Sequence, residues 1–192
     1  MERSDSVTLD PHKGLFLPYG TGSLLVRDGG ALKRAHGLSA SYLPSTDDDP
    51  DLMDFSQMSP ELSREFRGLR VWLPLKMHGI APFRRNLAEK LALTRWATEE
   101  LRKIPSVEIV AEPQLSIVAF RVIRPGLSSE ALNQLNQNVL SRINARKRVY
   151  LSGSLLDNKF VIRICVLSFR THLDRMQMGI EDIRAAVEES SY

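Results

Sequence analysis

Apolar positions are sparse and irregular along this chain up to about Gly79, and regular after it. From Pro82 onward Phe83, Leu87 and Leu91 share one face of a helical repeat, which predicts a helix continuing to about Lys103. Residues 107–110 and 116–123 read as strands split by a turn around Glu112 and Pro113. Pro125 and Gly126 break the second strand, and Ser128 caps a helix in which Leu132, Leu135, Val139 and Ile143 recur at helical spacing. Strands over 148–152 and 160–168 flank a polar loop at Asp157 and Asn158. Thr171, with Asp174 three residues on, caps a last helix that buries Met176, Ile180, Ile183 and Val187. The order is therefore α-β-β-α-β-β-α. Each helix has one apolar stripe to hide, so the simplest arrangement is an antiparallel sheet covered on one face by helices.

The earlier part reads differently. Residues 5–10 form a β-rich run stopped by Pro11, which cannot donate to a ladder, and residues 23–27 form a second strand. Gly14, Pro18, Gly20 and Gly22 mark tight turns between them, so the pair is hairpin-like with an elaborate connection. Asp28-Gly29-Gly30 ends the second strand, and residues 31–60 carry few periodic apolar positions, the pattern of a long functional or disordered loop. Ser59 and Pro60 predict a helix start, running toward His78 and kinked or interrupted at Pro74.

With 192 residues and 43% apolar content, the chain is one domain or one and a fraction, able to close a core. A single cysteine excludes a disulfide framework and a cysteine-based zinc cluster; Cys165 is expected to pack as a small apolar residue. No apolar run of about 18 residues and no leader-like N-terminus is present, so membrane spanning and secretion drop out as expectations. The net charge is +3, and the basic cluster Arg142, Arg146, Lys147 and Arg148 lacks interleaved aromatics, so it reads as a solvated helix end and not as a nucleic-acid surface. Asp47, Asp48, Asp49, Asp51 and Asp54 lack the glycine and terminal glutamate of a calcium loop and read as a hydrated segment. His36, His78 and His172 have no metal-site partner at helical spacing and read as structural; no metal site is expected. One place invites chemistry: His12-Lys13, where a strand ends and a glycine-rich turn begins, with Gly20-Thr21-Gly22 able to present amides to a phosphate. On spacing alone a solvated surface lysine is the competing reading.

The run Ser6-Val-Thr-Leu-Asp-Pro-His-Lys13, followed by Gly14-Leu15 and Pro18-Tyr-Gly-Thr-Gly22, resembles the pyridoxal-phosphate attachment segment of the group II amino-acid decarboxylases. These are the aromatic amino-acid, histidine, glutamate and cysteine-sulfinate decarboxylases. Phe66-Arg-Gly-Leu-Arg-Val-Trp72, Lys76-Met-His-Gly79 and Asp157-Asn-Lys-Phe-Val-Ile-Arg163 resemble the family's downstream landmarks in the same order, so the likeness spans nearly the whole chain. It implies an α/β fragment of the pyridoxal-phosphate-dependent transferase fold, the type I, aspartate aminotransferase-like fold. Residues 1–60 would end the large domain and carry the attachment lysine and a lid loop, 61–81 would connect, and 82–192 would form the small α+β C-terminal domain. The cofactor implied is pyridoxal 5'-phosphate, held as an internal aldimine on Lys13, whose amine attacks an aldehyde only when neutral and whose pKa falls when it is desolvated beside a cofactor. His12 would lie near the cofactor phosphate. Tyr42, in a mobile loop downstream of the lysine, would protonate the substrate α-carbon. The reaction implied is decarboxylation of an L-amino acid to the amine and carbon dioxide, in a cytoplasmic homodimer whose lid reaches a site at the subunit boundary.

Several positions depart from the family pattern. Asp10 stands where many relatives have asparagine near the phosphate, and a carboxylate there repels a phosphate unless it is turned away or paired; it carries no assignment. Gly14 replaces a tryptophan and Thr21 a cysteine or alanine, which leaves the substrate open. The family's upstream cofactor-binding part has no counterpart in these 192 residues, so the chain is expected to be a truncated C-terminal portion, inactive by itself. Two other readings remain: a pyridoxal-phosphate-dependent aldehyde synthase of the same family, against which Tyr42 argues, and a non-catalytic dimerisation module.

Overall fold

Pro11 lacks an N–H, and the strand before it ends at Leu9 in a computed structural model that describes residues 2–38, 42 and 53–190. The chain divides into two units, Met1–Gly79 and Ile80–Tyr192. In the first, β1 (Ser6–Leu9) pairs antiparallel with β2 (Ser23–Val26), Ser6 opposite Val26 and Leu9 opposite Ser23, with the single-turn helix α1 (Pro11–Gly14) in the connection. Residues 31–36, read from the sequence as the start of a long loop, belong to α2 (Gly29–His36). Asp28 makes this possible despite two leading glycines: its carboxylate accepts from Gly30 N–H at 2.9 Å and pairs with Arg34 at 3.0 Å. Asp54 caps the 3-10 turn Phe55–Met58 in the same way. The helix expected from Ser59 begins only at α3 (Leu69–His78), because the Ser59 hydroxyl bonds Glu61 C=O and Arg64 and caps nothing. Pro74 lies inside α3 without interrupting it, and Gly79, at φ +69°, ends it in a conformation that favours glycine. Asp47, Asp48, Asp49 and Asp51, and the loop flanking Tyr42, lie outside the described residues.

The second unit is the antiparallel sheet with helices that the periodicity predicted. Helix α4 (Ala81–Arg102) leads to β3 (Val107–Ala111) and β4 (Ile117–Val122); α5 (Ser129–Ala145) leads to β5 (Ser152–Leu156) and β6 (Lys159–Cys165); α6 (Leu173–Glu189) closes the unit. The strand order is β3-β4-β6-β5, with Phe120 opposite Ile162 and Val118 opposite Ile164. These four residues are buried, with Leu93, Ala97 and Leu101 of α4, Val139 and Ile143 of α5, and Met176, Ile180, Ile183 and Val187 of α6. Each such aliphatic side chain contributes ~1.5–3 kcal/mol on burial.

Four sequence expectations shift. The strand placed at 148–152 lies at 152–156, flush against a two-residue turn whose Asp157 and Asn158 take φ +48° and +62°, values that hairpin turns need and these residue types tolerate. Cys165 is exposed, because strand alternation puts it on the opposite face from buried Ile162 and Ile164. The buried stripe of α4 runs through Lys90, Leu93, Thr94, Ala97, Thr98 and Leu101, leaving Leu87 and Leu91 only half-buried. The threonines are tolerated because each hydroxyl bonds the carbonyl four residues back, Thr94 to Lys90 at 2.8 Å and Thr98 to Thr94 at 2.9 Å. Last, the basic cluster is exposed at the end of α5, as a solvated helix end is, but its arginines are also engaged with α6. Arg142 donates to Glu189 C=O at 2.6 Å, Arg146 pairs with Glu189, and Arg148 binds the buried Asp182 through Nε at 3.0 Å and a terminal nitrogen at 2.6 Å.

Three asparagines fasten α5 to the strand and loop backbone. Asn136, fully buried, accepts from Val122 N–H at 2.7 Å and donates to Val122 C=O at 2.9 Å and Leu132 C=O at 2.8 Å. Asn144 holds Leu151 N–H and C=O, and Asn133 bridges Phe160 N–H and Asn158 C=O. Each amide offers a donor and an acceptor side by side, as a neighbouring strand would. Asn136→Ala leaves the Val122 groups buried and unpaired and is expected to cost about 2–4 kcal/mol, against ~0.5 kcal/mol or less for the exposed Asn138→Ala. Urea unfolding followed through Trp96 fluorescence in a Trp72→Phe background measures both.

Thr171 does not cap α6; His172 occupies the capping position without a side-chain cap bond. Thr171 C=O instead accepts from the buried Lys90 ammonium at 2.5 Å, which also donates to Glu89 at 2.8 Å, while His172 Nδ1 lies 2.7 Å from the other Glu89 oxygen. Hydrogen bonds from His172 and then Lys90 hold the Glu89 carboxyl below its ordinary range. A carboxylate so lowered stabilises the fold above its ordinary pKa, and that contribution is lost as pH falls through the folded value. Amides in the first turn of α6 should therefore exchange more slowly in the parent than in Glu89→Gln at neutral pH, and the difference should vanish as the pH falls below the ordinary carboxylate range; hydrogen exchange across that range reads this out.

Candidate active site around Lys13

Backbone bonds build the connection between β1 and β2 from within. Lys13 N–H donates to Asp10 C=O at 2.8 Å, Leu15 and Leu17 N–H both donate to Pro11 C=O at 3.2 Å, and Phe16 N–H donates to Lys13 C=O at 3.2 Å. Pro11, Leu17 and Thr21 are buried, and the Thr21 hydroxyl donates to Pro18 C=O at 2.8 Å. His12 is held by its Nδ1, 2.7 Å from Thr21 C=O, and by the Tyr19 ring 4.8 Å away. Because a carbonyl only accepts, the nitrogen facing it, Nδ1, carries a proton, which leaves Nε2 uncommitted.

Lys13 leaves the same turn toward solvent. Its Nζ lies 2.6 Å from Asp10 Oδ2, with 60% of the lysine side chain and 47% of the aspartate side chain exposed. The hydrogen bond to Asp10, then its charge, hold the ammonium form above the usual lysine range, and the same bond to Lys13 holds the Asp10 carboxyl below its own. The direction for Lys13 is opposite to the one expected of a desolvated amine, because here the amine is solvated and faces a carboxylate. Asp10, the sequence's unexplained carboxylate, is paired.

The structure brings Lys13 and His12 onto one turn of helix. Tyr42 stands in a turn with its ring 77% exposed, and no hydrogen bond joins it to either residue among the described residues. A neighbouring feature escaped sequence reasoning. Arg64, Arg67 and Arg70 line a cleft of about 560 Å³ with Gly20, Glu61 and Glu65, and Arg70 donates to Tyr19 C=O at 3.4 Å. Neither Lys13 nor His12 lines it. The three-residue spacing of those arginines is the signal that was available. Among the described residues no group of histidine, cysteine and carboxylate side chains could hold a metal ion, and no helix is long and apolar enough to cross a membrane.

The family model described as the pyridoxal-dependent decarboxylase conserved domain matches residues 1–123, including the whole turn. The chain belongs to the pyridoxal-dependent decarboxylase family. It is 35% identical to an aromatic-L-amino-acid decarboxylase of Bacillus atrophaeus, over 100% of this chain and 40% of that relative. Catharanthus roseus tryptophan decarboxylase, solved in complex with L-tryptophan, superposes with a TM-score of 0.86 at 26% identity, over 98% of this chain and 38% of that one. Oryza sativa TDC, solved with PLP and tryptamine, superposes with a TM-score of 0.90 over 98% of this chain and 39% of that one; at 23% identity it speaks for the fold alone. The chain thus spans about two fifths of the length of these relatives. Its fold is that expected from the motifs, a fragment of the type I pyridoxal-phosphate-dependent architecture.

In this decarboxylase-family chain the buried Thr21 hydroxyl supports the turn that orients His12. Thr21→Val keeps the volume but leaves the Pro18 carbonyl without its donor, an expected loss of ~1–2 kcal/mol locally. Limited proteolysis should cut within residues 18–22 several-fold faster in the valine variant and at the parental rate in Thr21→Ser.

Proposed function

We infer that Lys13 is the residue that joins pyridoxal 5'-phosphate covalently, in an enzyme that decarboxylates an L-amino acid to the amine and carbon dioxide. The observation that carries this reading is a solvent-reachable primary amine on an internally braced turn, next to a histidine already fixed in orientation. An aldehyde needs an amine it can reach, and Lys13 Nζ is such an amine. A phosphate needs donors, and His12 has one ring nitrogen uncommitted; with Nδ1 bound to Thr21 C=O, the ring donates through Nε2 when it takes a second proton. On both counts the residues fit the cofactor.

The cofactor would supply an electron sink for the pair left at the substrate α-carbon when carbon dioxide departs. Lys13 Nζ provides the amine that bonds the aldehyde and yields its place to the substrate's own amine. Tyr42 Oη donates the proton that the α-carbon then requires; its exposed ring gives up no hydrogen bond among the described residues in doing so. Residues 1–60 are read as the end of the large domain, 61–81 as the connecting segment and 82–192 as the small domain of a cytoplasmic homodimer. By itself the chain is read as inactive, since it spans only about two fifths of the length of its decarboxylase relatives.

Incubating an enzyme completed to the length of its relatives with pyridoxal 5'-phosphate and cyanoborohydride, followed by peptide mass spectrometry, is expected to label Lys13 ahead of every other lysine, and Lys13→Ala to lose that label. Labelling spread evenly over the lysines sinks the assignment. In an enzyme completed to the length of its relatives, amine as product supports Tyr42 as proton donor, and aldehyde with peroxide overturns it.

A further inference from the structure

Asp10 lies next to the amine on which the proposed function rests, yet that reading gives it no task. Its position is not accidental to the turn. The Asp10 carbonyl accepts Lys13 N–H at 2.8 Å, which places residues 10 and 13 one helical turn apart, and the Asp10 carboxylate closes the same loop through the side chain at 2.6 Å. The carboxylate makes no capping bond to the backbone of α1, although it stands at the capping position. It is spent on Lys13.

We propose that Asp10 is a positioning residue for Lys13: its carboxylate receives the ε-amine as an ammonium ion whenever that amine is not bonded to an aldehyde, and so keeps the free lysine aligned but unreactive. This rests on the reading of Lys13 as the attachment residue. An ammonium nitrogen has no lone pair, so bond formation to an aldehyde carbon requires that a proton leave Lys13 and that the pair with Asp10 open. Release runs in reverse: the amine freed from the cofactor takes a proton and returns to the carboxylate. The pairing also removes the difficulty of a carboxylate where a phosphate is expected nearby, because the negative charge is balanced within the turn. The other titratable groups acting on the pair are Tyr19, whose charge when ionised adds to the hold on Lys13, and His12, whose charge when protonated favours ionised Asp10.

The experiment separates this from the assignment of Lys13 by using two probes, the first on the chain itself and the second on an enzyme completed to the length of its relatives. Acetic anhydride, which acylates only neutral amines, reports the free lysine without any cofactor; pyridoxal 5'-phosphate with cyanoborohydride reports attachment. At pH 7–9 and low salt, Asp10→Asn is expected to raise the acylation rate of Lys13 roughly two- to fivefold, the span an exposed ion pair supports. Asp10→Glu should return it toward the parental rate, and 1 M sodium chloride should narrow the gap between parent and Asp10→Asn. Equal acylation of Lys13 in the parent and Asp10→Asn overturns the proposal even if pyridoxal 5'-phosphate still selects Lys13. Failure of pyridoxal 5'-phosphate to select Lys13 in both chains overturns the attachment reading, while the acylation rates still decide whether Asp10 holds the amine.

Discussion

The bonds from Leu15 and Leu17 back to Pro11 C=O, with that from Lys13 to Asp10 C=O, convert the link between two short strands into a folded object with its own small interior. Everything distinctive about the first unit depends on this. Its strands are only four residues long and half or more exposed, so they cannot by themselves hold a side chain in a fixed direction. The connection can, because Pro11, Leu17 and Thr21 are buried within it and Thr21 C=O in turn anchors His12. Lys13 projects from this turn with most of its side chain exposed and its amine paired to Asp10.

The second unit solves a different problem. Its core is complete, formed by the alternate residues of β4 and β6 against three helices, and its polar contacts are chosen to seat helices on the sheet. Asparagine amides stand in for missing strand neighbours along α5, and arginines from the end of α5 reach carboxylates and a carbonyl of α6. Burying Asp182 and Lys90 is tolerable only because each is met by opposite charge and by further hydrogen bonds. The arginines of the basic cluster thus contribute to the packing of α5 against α6 while remaining exposed.

Ion pairs serve unlike ends in the two units. Between α5 and α6 they are partly buried and fix one packing. At Asp10 and Lys13 the pair is open to water, weak enough to be broken by a competing bond and close enough to re-form. The same residue types thus differ in strength between the two places according to solvent exposure.

The sequence by itself determined the order of elements in the second unit, the strand pair of the first, and the place where chemistry could occur. Apolar period, proline and glycine positions are local properties, and local sterics read them directly. Motif likeness pointed to the family, which the comparisons bear out, since a run of specific residue types in fixed order survives without knowledge of folding. Only the tertiary structure decided the rest. Whether Thr94, Thr98 and Lys90 face the core depends on carbonyls and carboxylates that meet them in space; hydropathy counts them as polar and turns them outward. Strand β5 moved because the turn at Asp157–Asn158 sets the register, and α2 formed because the Asp28 side chain supplied a cap that no periodicity announces. Asp10 is the clearest case: in sequence it was a carboxylate in an awkward place, and a distance of 2.6 Å made it the partner of the lysine.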